Sequence, residues 1–143
     1  MNLRGRTCRL RGFIARPTGL GSLTIAGQFR IVSEGPSTVG ATVNKVGRTT
    51  GWTQGQVTAT GVTANVFGSL ITQVCQDMVS AGVGGGDSGP PVFAIASGTD
   101  VQLRRILWGG TLDGVQFVYS PIANIERADE LGPIATCAAG FTC

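Results

Sequence analysis

Hydrophobic and polar residues alternate with a period of two along most of this 143-residue chain. In "QVTAT", Val57 and Ala59 alternate with Thr58 and Thr60, and "VQLRRILW" and "VQFVYS" repeat the pattern further along. A period of two is typical of a β-strand, because successive side chains point to opposite faces. Together with "ATVNKV", "LITQV" and "PPVFAIAS", these stretches predict about six short strands separated by glycine-rich turns.

Strands that follow one another without intervening helices favour an antiparallel barrel or sandwich. One helix is predicted after the last strand, because Ser120 can cap it, Pro121 suits its first position and Gly132 can end it. The first forty residues are less regular, and "SLTIAG" and "FRIVSEG" could form a hairpin or a crossing segment. The pattern therefore predicts an all-β domain with a short C-terminal helix.

Composition and charge narrow the possible partners. Charged residues make up 13% of the chain, and no apolar run approaches the ~20 residues of a membrane helix, so we expect no membrane partner. The net charge of +3 is too small by itself to indicate nucleic-acid binding. Six arginines precede the first acid, but only two aromatic residues, Phe13 and Phe29, lie among them, so we interpret this arm as a solvated or packed segment and expect no nucleic-acid partner. They are Arg4, Arg6, Arg9, Arg11, Arg16 and Arg30.

The cysteines permit more than one interpretation. Cys8, Cys75, Cys137 and Cys143 allow three pairings, and the last two could close a small loop, which would indicate an oxidising compartment. Free buried thiols are the alternative. Histidine and a C-x-x-C spacing are both absent from the sequence, so we expect no metal site. The N-terminal stretch is basic but lacks an apolar segment, so either the protein is not exported or its start lies upstream of Met1.

The stretch "GGGDSGPPVF", residues 84–93, is the strongest candidate for chemistry. It matches G-x-G-x-x-G, but Pro90 and Pro91 argue against the helix that a dinucleotide site requires. A phosphate loop needs Gly-Lys, and the only lysine is Lys45. The nucleophile elbow of α/β-hydrolases fails as well, because position 90 is proline. We therefore predict no cofactor.

The same stretch resembles the G-D-S-G-G-P nucleophile loop of chymotrypsin-like serine proteases. Three further stretches resemble that family in the same order: "GRTTGWTQGQV", "ILWGG" and "GVQFVYSPI". The resemblance implies a six-stranded antiparallel barrel of the chymotrypsin-like type over residues 41–143, with a terminal helix and tail. Residues 1–40 would be a crossing segment or a remnant of the family's first barrel. It also implies an extracellular or cell-surface location.

The resemblance assigns roles to individual residues. Ser88 would be the nucleophile that attacks a peptide carbonyl, and Asp87 would support the loop through a buried ion pair or hydrogen bonds. The backbone N–H groups of Gly86 and Ser88 would form the oxyanion hole. The substrate peptide would lie against a pocket floor near Gly82 and a strand edge formed by Leu107, Trp108, Gly109 and Gly110. Because "SAGVGGG" carries no charge, we do not expect a pocket selective for arginine or lysine. Gly109 and Gly110 leave room beside Trp108, so we expect an apolar or aromatic substrate side chain there.

Two departures from the family pattern limit the expected activity. Pro90 replaces a glycine, which fixes φ and removes an N–H just after the nucleophile. The chain has no histidine, and the family's histidine and aspartate belong to an N-terminal barrel that precedes the matched stretch. Lys45 could in principle replace the base, but its position in relatives is ordinary surface. We therefore expect half of a serine endopeptidase, inactive alone and needing the missing barrel as a partner; the alternative is a non-catalytic protease-like binding module.

Overall fold

The computed structural model describes residues 12–121 and 136–141. These residues form eight β-strands and no helix. This part of the chain therefore contains no helix long and apolar enough to cross a membrane. The strands are β1 (Phe13–Pro17), β2 (Ile25–Glu34), β3 (Thr42–Gly47), β4 (Gly51–Asn65), β5 (Thr72–Ser80), β6 (Pro91–Ser97), β7 (Asp100–Gly110) and β8 (Phe117–Pro121).

Six of these strands close on themselves as an antiparallel barrel. The hydrogen-bonded order β6-β3-β4-β5-β8 is completed by β7, which pairs with both β6 and β8. Closure leaves no free sheet edge within the ring. The predicted all-β, six-stranded antiparallel barrel is therefore confirmed.

The barrel interior is filled by apolar side chains, which the strands contribute from alternate positions along their length. Tyr119, Phe117 and Leu107 are among the largest of these buried side chains. The remaining members of this cluster are Val43, Val57, Val79, Ala81 and Val92. Removing this apolar area from water is the main force that holds the ring of short strands together.

The N-terminal strands extend the barrel sheet on one side. β1 and β2 form an antiparallel hairpin, and β2 then pairs with β7 in parallel. Phe29 packs there against Phe93 and Trp52, with ring centroids 5.0 and 5.2 Å away. The stretches "SLTIAG" and "FRIVSEG" do not pair with each other, because residues 25–34 form one continuous strand whose partner is residues 13–17.

Two local predictions are wrong in position. The strand predicted at "LITQV", residues 70–74, is displaced towards the C-terminus, because β5 is Thr72–Ser80 and Leu70 lies before it. Ser120 and Pro121 belong to β8 instead of opening a helix, because the ladder to β7 continues as far as Pro121. The rest of the predicted helix, through Gly132, lies outside the described residues.

Candidate functional site

The Gly-Asp-Ser-Gly segment lies in the connection between β5 and β6, at one rim of the barrel. A turn closes where the amide of Asp87 donates to the Gly84 carbonyl at 3.0 Å. The exit from the segment is tied to β7, since Gly89 N donates to Leu107 O at 2.7 Å and Leu107 N donates to Pro90 O at 3.0 Å. The segment is therefore fastened on both sides of Ser88.

The carboxylate of Asp87 holds the segment to the β3–β4 turn. It is buried, and its Oδ2 accepts from Lys45 Nζ at 2.8 Å, from Thr50 Oγ1 at 2.5 Å and from Gly84 N at 3.1 Å. Its Oδ1 accepts from the amides of Thr49 and Thr50, at 2.7 and 3.3 Å. Both oxygens are thus hydrogen-bonded, as a buried charge requires.

These partners decide the ionisation of Asp87. Burial by itself opposes the charged form and would raise the pKa of the carboxyl. The hydrogen bonds from Lys45, Thr50, Thr49 and Gly84 favour the charged form more strongly and hold the pKa of Asp87 well below its usual range. Asp87 is therefore a carboxylate at neutral pH, paired with a lysine beneath the serine.

Lys45 occupies a position that the sequence analysis assigned to ordinary surface, and that prediction is wrong. Its side chain is fully buried and also donates to Thr50 Oγ1. The pairing of Lys45 with Val92 across β3 and β6 brings the lysine under the segment that precedes β6. Space for the ion pair comes from Gly47, where a Cβ would lie 2.2 Å from Asp87 Oδ1.

Ser88 itself is exposed to solvent, directly after the buried aspartate. Its hydroxyl donates to the Trp108 carbonyl at 3.2 Å. The flanking glycines have positive φ, +94° at Gly86 and +102° at Gly89, a conformation that residues with a Cβ rarely adopt. Among the described residues, no acceptor takes the amide of Gly86 or of Ser88. Both N–H groups are free for a ligand.

A cleft of ≈ 440 Å³ opens beside Ser88. One wall comes from the segment before the serine, and the other from the end of β7 and the β7–β8 loop. The lining residues are Val83, Gly84, Gly85, Ser88, Leu107, Gly109, Gly110, Thr111, Leu112, Asp113 and Gly114. We call this the candidate cleft.

The predicted substrate-contacting residues divide between the candidate cleft and its surroundings. Leu107, Gly109 and Gly110 line it, whereas Gly82 and Trp108 do not. Gly82 is exposed, and its carbonyl accepts from Thr53 Oγ1 at 3.0 Å. Trp108 lines a neighbouring cavity, which shares Gly109 and Gly110 with the candidate cleft, and its indole N–H donates to Gln76 Oε1 at 2.7 Å.

Sequence reasoning missed the residues that complete the site from distant loops. Thr49, Thr50 and Gly47 shape the environment of Asp87, and Asp113 is one of the residues that line the candidate cleft. The one available signal was Lys45, the only lysine of the chain, which stands inside an otherwise uncharged strand. Nothing in the sequence of the loop between β7 and β8 indicated that Asp113 would line the candidate cleft.

Cys137 is disulfide-bonded. This excludes the free-thiol alternative for Cys137. Cys8 and Cys143 lie outside the described residues, so the small loop between Cys137 and Cys143 stays one of the possible pairings. Within residues 12–121 and 136–141, no group of three histidine, cysteine, aspartate or glutamate side chains could hold a metal ion.

A closed six-stranded antiparallel barrel with a Gly-Asp-Ser-Gly segment at its rim defines the chymotrypsin-like fold, and solved structures agree. The chain is similar to Cellulomonas bogoriensis chymotrypsin, with 24% identity, a TM-score of 0.60, and coverage of 72% of this chain and 54% of that one. The chain is also similar to Thermobifida fusca protease A, with 24% identity and a TM-score of 0.63, and the match covers 80% of this chain and 55% of that one.

A glutamic acid specific serine protease that uses a histidine triad in substrate binding is also similar, at 26% identity and a TM-score of 0.62, and the match covers 80% of this chain and 59% of that one. The chain thus spans little more than half the length of these proteases. No protein-family model matches the sequence, and no curated protein matches it significantly.

Proposed function

We propose that this chain carries the nucleophile of a chymotrypsin-like serine endopeptidase, with Ser88 as the attacking residue. The observation that carries the proposal is the position of Ser88, exposed at the candidate cleft and fixed by the buried Lys45–Asp87 pair directly behind it. A nucleophile has to meet a substrate carbonyl in one defined geometry, and a rigid support serves that need.

The free amides of Gly86 and Ser88 supply the second element of acyl transfer. They would donate to the oxygen of the tetrahedral intermediate, where removing one donor typically costs ~3–4 kcal/mol. The positive φ of Gly86, which glycine adopts without strain, permits the tight turn that this role of the amides would need. Asp87 would act as a positioning residue, because its carboxylate contacts the loop and not the substrate.

The base for Ser88 has to come from outside this chain. The sequence holds no histidine, and Lys45 Nζ is engaged with Asp87 and Thr50. Ser88 Oγ donates to a backbone carbonyl, which cannot accept a proton. We therefore propose that the chain alone is inactive, since losing a triad residue typically costs ~10⁴–10⁶ in rate. A first barrel, for which residues 1–40 form the crossing segment or remnant, would supply histidine and aspartate.

A peptide or protein substrate fits the strand geometry of the cleft. β6 begins at Pro91, so the last residues of β7, from Trp108 to Gly110, extend beyond its pairing with β6. That edge is open to an extended peptide, which could add as a further strand. The disulfide at Cys137 favours an oxidising, extracellular or cell-surface location.

Imidazole rescue tests the assignment of the nucleophile. The full chain is incubated with a fluorophosphonate probe, with and without imidazole as an external base, and the labelled residue is identified by peptide mass spectrometry. We expect negligible labelling without imidazole and a labelling rate at Ser88 that rises with its concentration. Ser88→Ala should abolish this labelling, and Ser120→Ala, in β8, should leave it intact.

Two results would contradict the proposal in different ways. Stoichiometric labelling of Ser88 without imidazole would show that the chain already contains its own base. Absence of Ser88 labelling at saturating imidazole would favour the alternative, a protease-like barrel that uses the candidate cleft only for binding.

A further inference from the structure

We propose that the candidate cleft selects a cationic substrate side chain through the carboxylate of Asp113. This inference rests on the proposed function, because it names the kind of residue that would precede the bond attacked by Ser88. It replaces the apolar or aromatic preference expected from "SAGVGGG". That expectation rested on the uncharged segment before the serine and on the room that Gly109 and Gly110 leave beside Trp108. Asp113, in contrast, belongs to the loop between β7 and β8.

The loop that carries Asp113 is fixed against the opposite wall of the candidate cleft. Gly114 O accepts from Val83 N at 3.0 Å, which ties the loop to the segment before Ser88. Gly114 has φ of +72°, and a Cβ there would lie 2.8 Å from Val83 O, so a side chain would disturb this contact. Asp113 therefore stands on a tight turn within the cleft wall.

The carboxylate is oriented by the same turn. Its Oδ1 accepts from Thr111 Oγ1 at 2.5 Å and from Val115 N at 3.2 Å. These hydrogen bonds hold the pKa of Asp113 below its ordinary value, so the group is charged at neutral pH. Among the described residues, none donates to Oδ2, which leaves one oxygen for a ligand.

Among the residues that the structure describes, no other charged side chain lines the candidate cleft. Its remaining lining is glycine backbone, two hydroxyl groups and the apolar side chains of Val83, Leu107 and Leu112. Arg48 approaches the segment at Gly86, where a Cβ would lie 2.9 Å from a guanidinium nitrogen, but it does not line the cleft. A cation that enters thus meets one negative charge and no positive one, on a path with apolar surface for its hydrocarbon part.

Binding of benzamidine and benzamide tests the inference with matched probes. The two have the same ring, and only benzamidine carries a positive charge. Each is titrated into the full chain at pH 7 while amide shifts are followed by NMR. Because Asp113 is exposed, we expect a moderate preference for benzamidine, about three- to tenfold in dissociation constant, with shifts at Gly109, Gly110 and Asp113.

Variants assign the preference to one carboxylate. Asp113→Asn keeps the Oδ1 acceptor for Thr111 and Val115, so the turn should persist while the preference for benzamidine disappears. Asp100→Asn removes a carboxylate that pairs with Arg30 outside the cleft, and it should leave the preference unchanged. Raising the salt concentration on the unmodified chain should weaken benzamidine binding and spare benzamide, a test that needs no variant.

The outcomes separate this inference from the proposed function. Equal affinities for the two probes, no binding of benzamidine at millimolar concentration, or a preference that survives in Asp113→Asn would overturn the role of Asp113. None of these measurements requires Ser88 to react. Failure of imidazole rescue therefore counts against the nucleophile alone, and failure of benzamidine selection counts against the cleft charge alone.

Discussion

Lys45 Nζ lies 2.8 Å from Asp87 Oδ2, and the side chains of both residues are fully excluded from solvent. Lys45 belongs to a barrel strand, whereas Asp87 belongs to the segment that presents Ser88. The ion pair thus connects the frame of the barrel to the candidate nucleophile. A buried pair is weak support for high stability, but removing one partner leaves an uncompensated charge.

Lys45→Met should destabilise the protein by about 3–5 kcal/mol, because Asp87 would stay buried without its counter-ion. The measurement is the free energy of unfolding in urea. The double variant Lys45→Met/Asp87→Asn should recover part of the loss, since it buries no charge. A single variant as stable as the unmodified chain would mean that the pair does not hold the segment in solution.

Acid should destabilise the protein through Asp87. Its folded-state pKa lies below its unfolded value, so the stabilisation is complete at pH values above the unfolded pKa of ~3.9. As the pH falls below this value, the unfolded state binds the proton first, and stability declines towards the folded pKa. Urea unfolding followed from pH 7 to pH 2 should show this decline.

Matched carboxylate variants identify the source of the acid response. Asp87→Asn should show a smaller decline below pH 4 than the unmodified chain. Asp100→Asn retains the buried carboxylate, so most of the decline should remain there. Identical pH profiles for Asp87→Asn and the unmodified chain would contradict a depressed pKa at Asp87.

Gly47→Ala should act on the same carboxylate from the other side. The new Cβ would lie 2.2 Å from Asp87 Oδ1, and that oxygen is held by the amides of Thr49 and Thr50. We expect a loss of about 1–3 kcal/mol in the free energy of unfolding, typical of overpacking. Gly85→Ala is the control, since a Cβ there meets nothing within 4 Å. Equal effects of the two substitutions would argue against the close approach.

The wall of the candidate cleft offers a second comparison of two glycines, Gly109 and Gly110, which are neighbours in the chain. At Gly110 a Cβ would lie 2.4 Å from Val83 Cγ1 and 2.8 Å from Gln116 O, whereas at Gly109 it meets nothing within 4 Å. Gly110→Ala should therefore cost about 1–3 kcal/mol, and Gly109→Ala about 0.5 kcal/mol or less. Thermal unfolding of both variants measures the difference, and the reverse order would mean that the wall is built differently.

The sequence by itself determined the strands and the presented serine. Alternation of apolar and polar residues is a local property, and it marked the barrel strands because each has one face towards the core. The turn at "GGGDSGPPVF" could also be predicted from the sequence, because positions with positive φ are usually occupied by glycine. Both features depend on neighbours in the chain.

Only the tertiary structure decided what surrounds that serine. Lys45 was assigned to the surface because the sequence cannot reveal that β3 pairs with β6 and carries it under Asp87. Asp113 was missed as a cleft residue because it reaches the candidate cleft from the loop beyond β7. Ion pairs and cleft walls form where segments that are far apart in the sequence come into contact. Closure of the barrel determines which of these segments are neighbours.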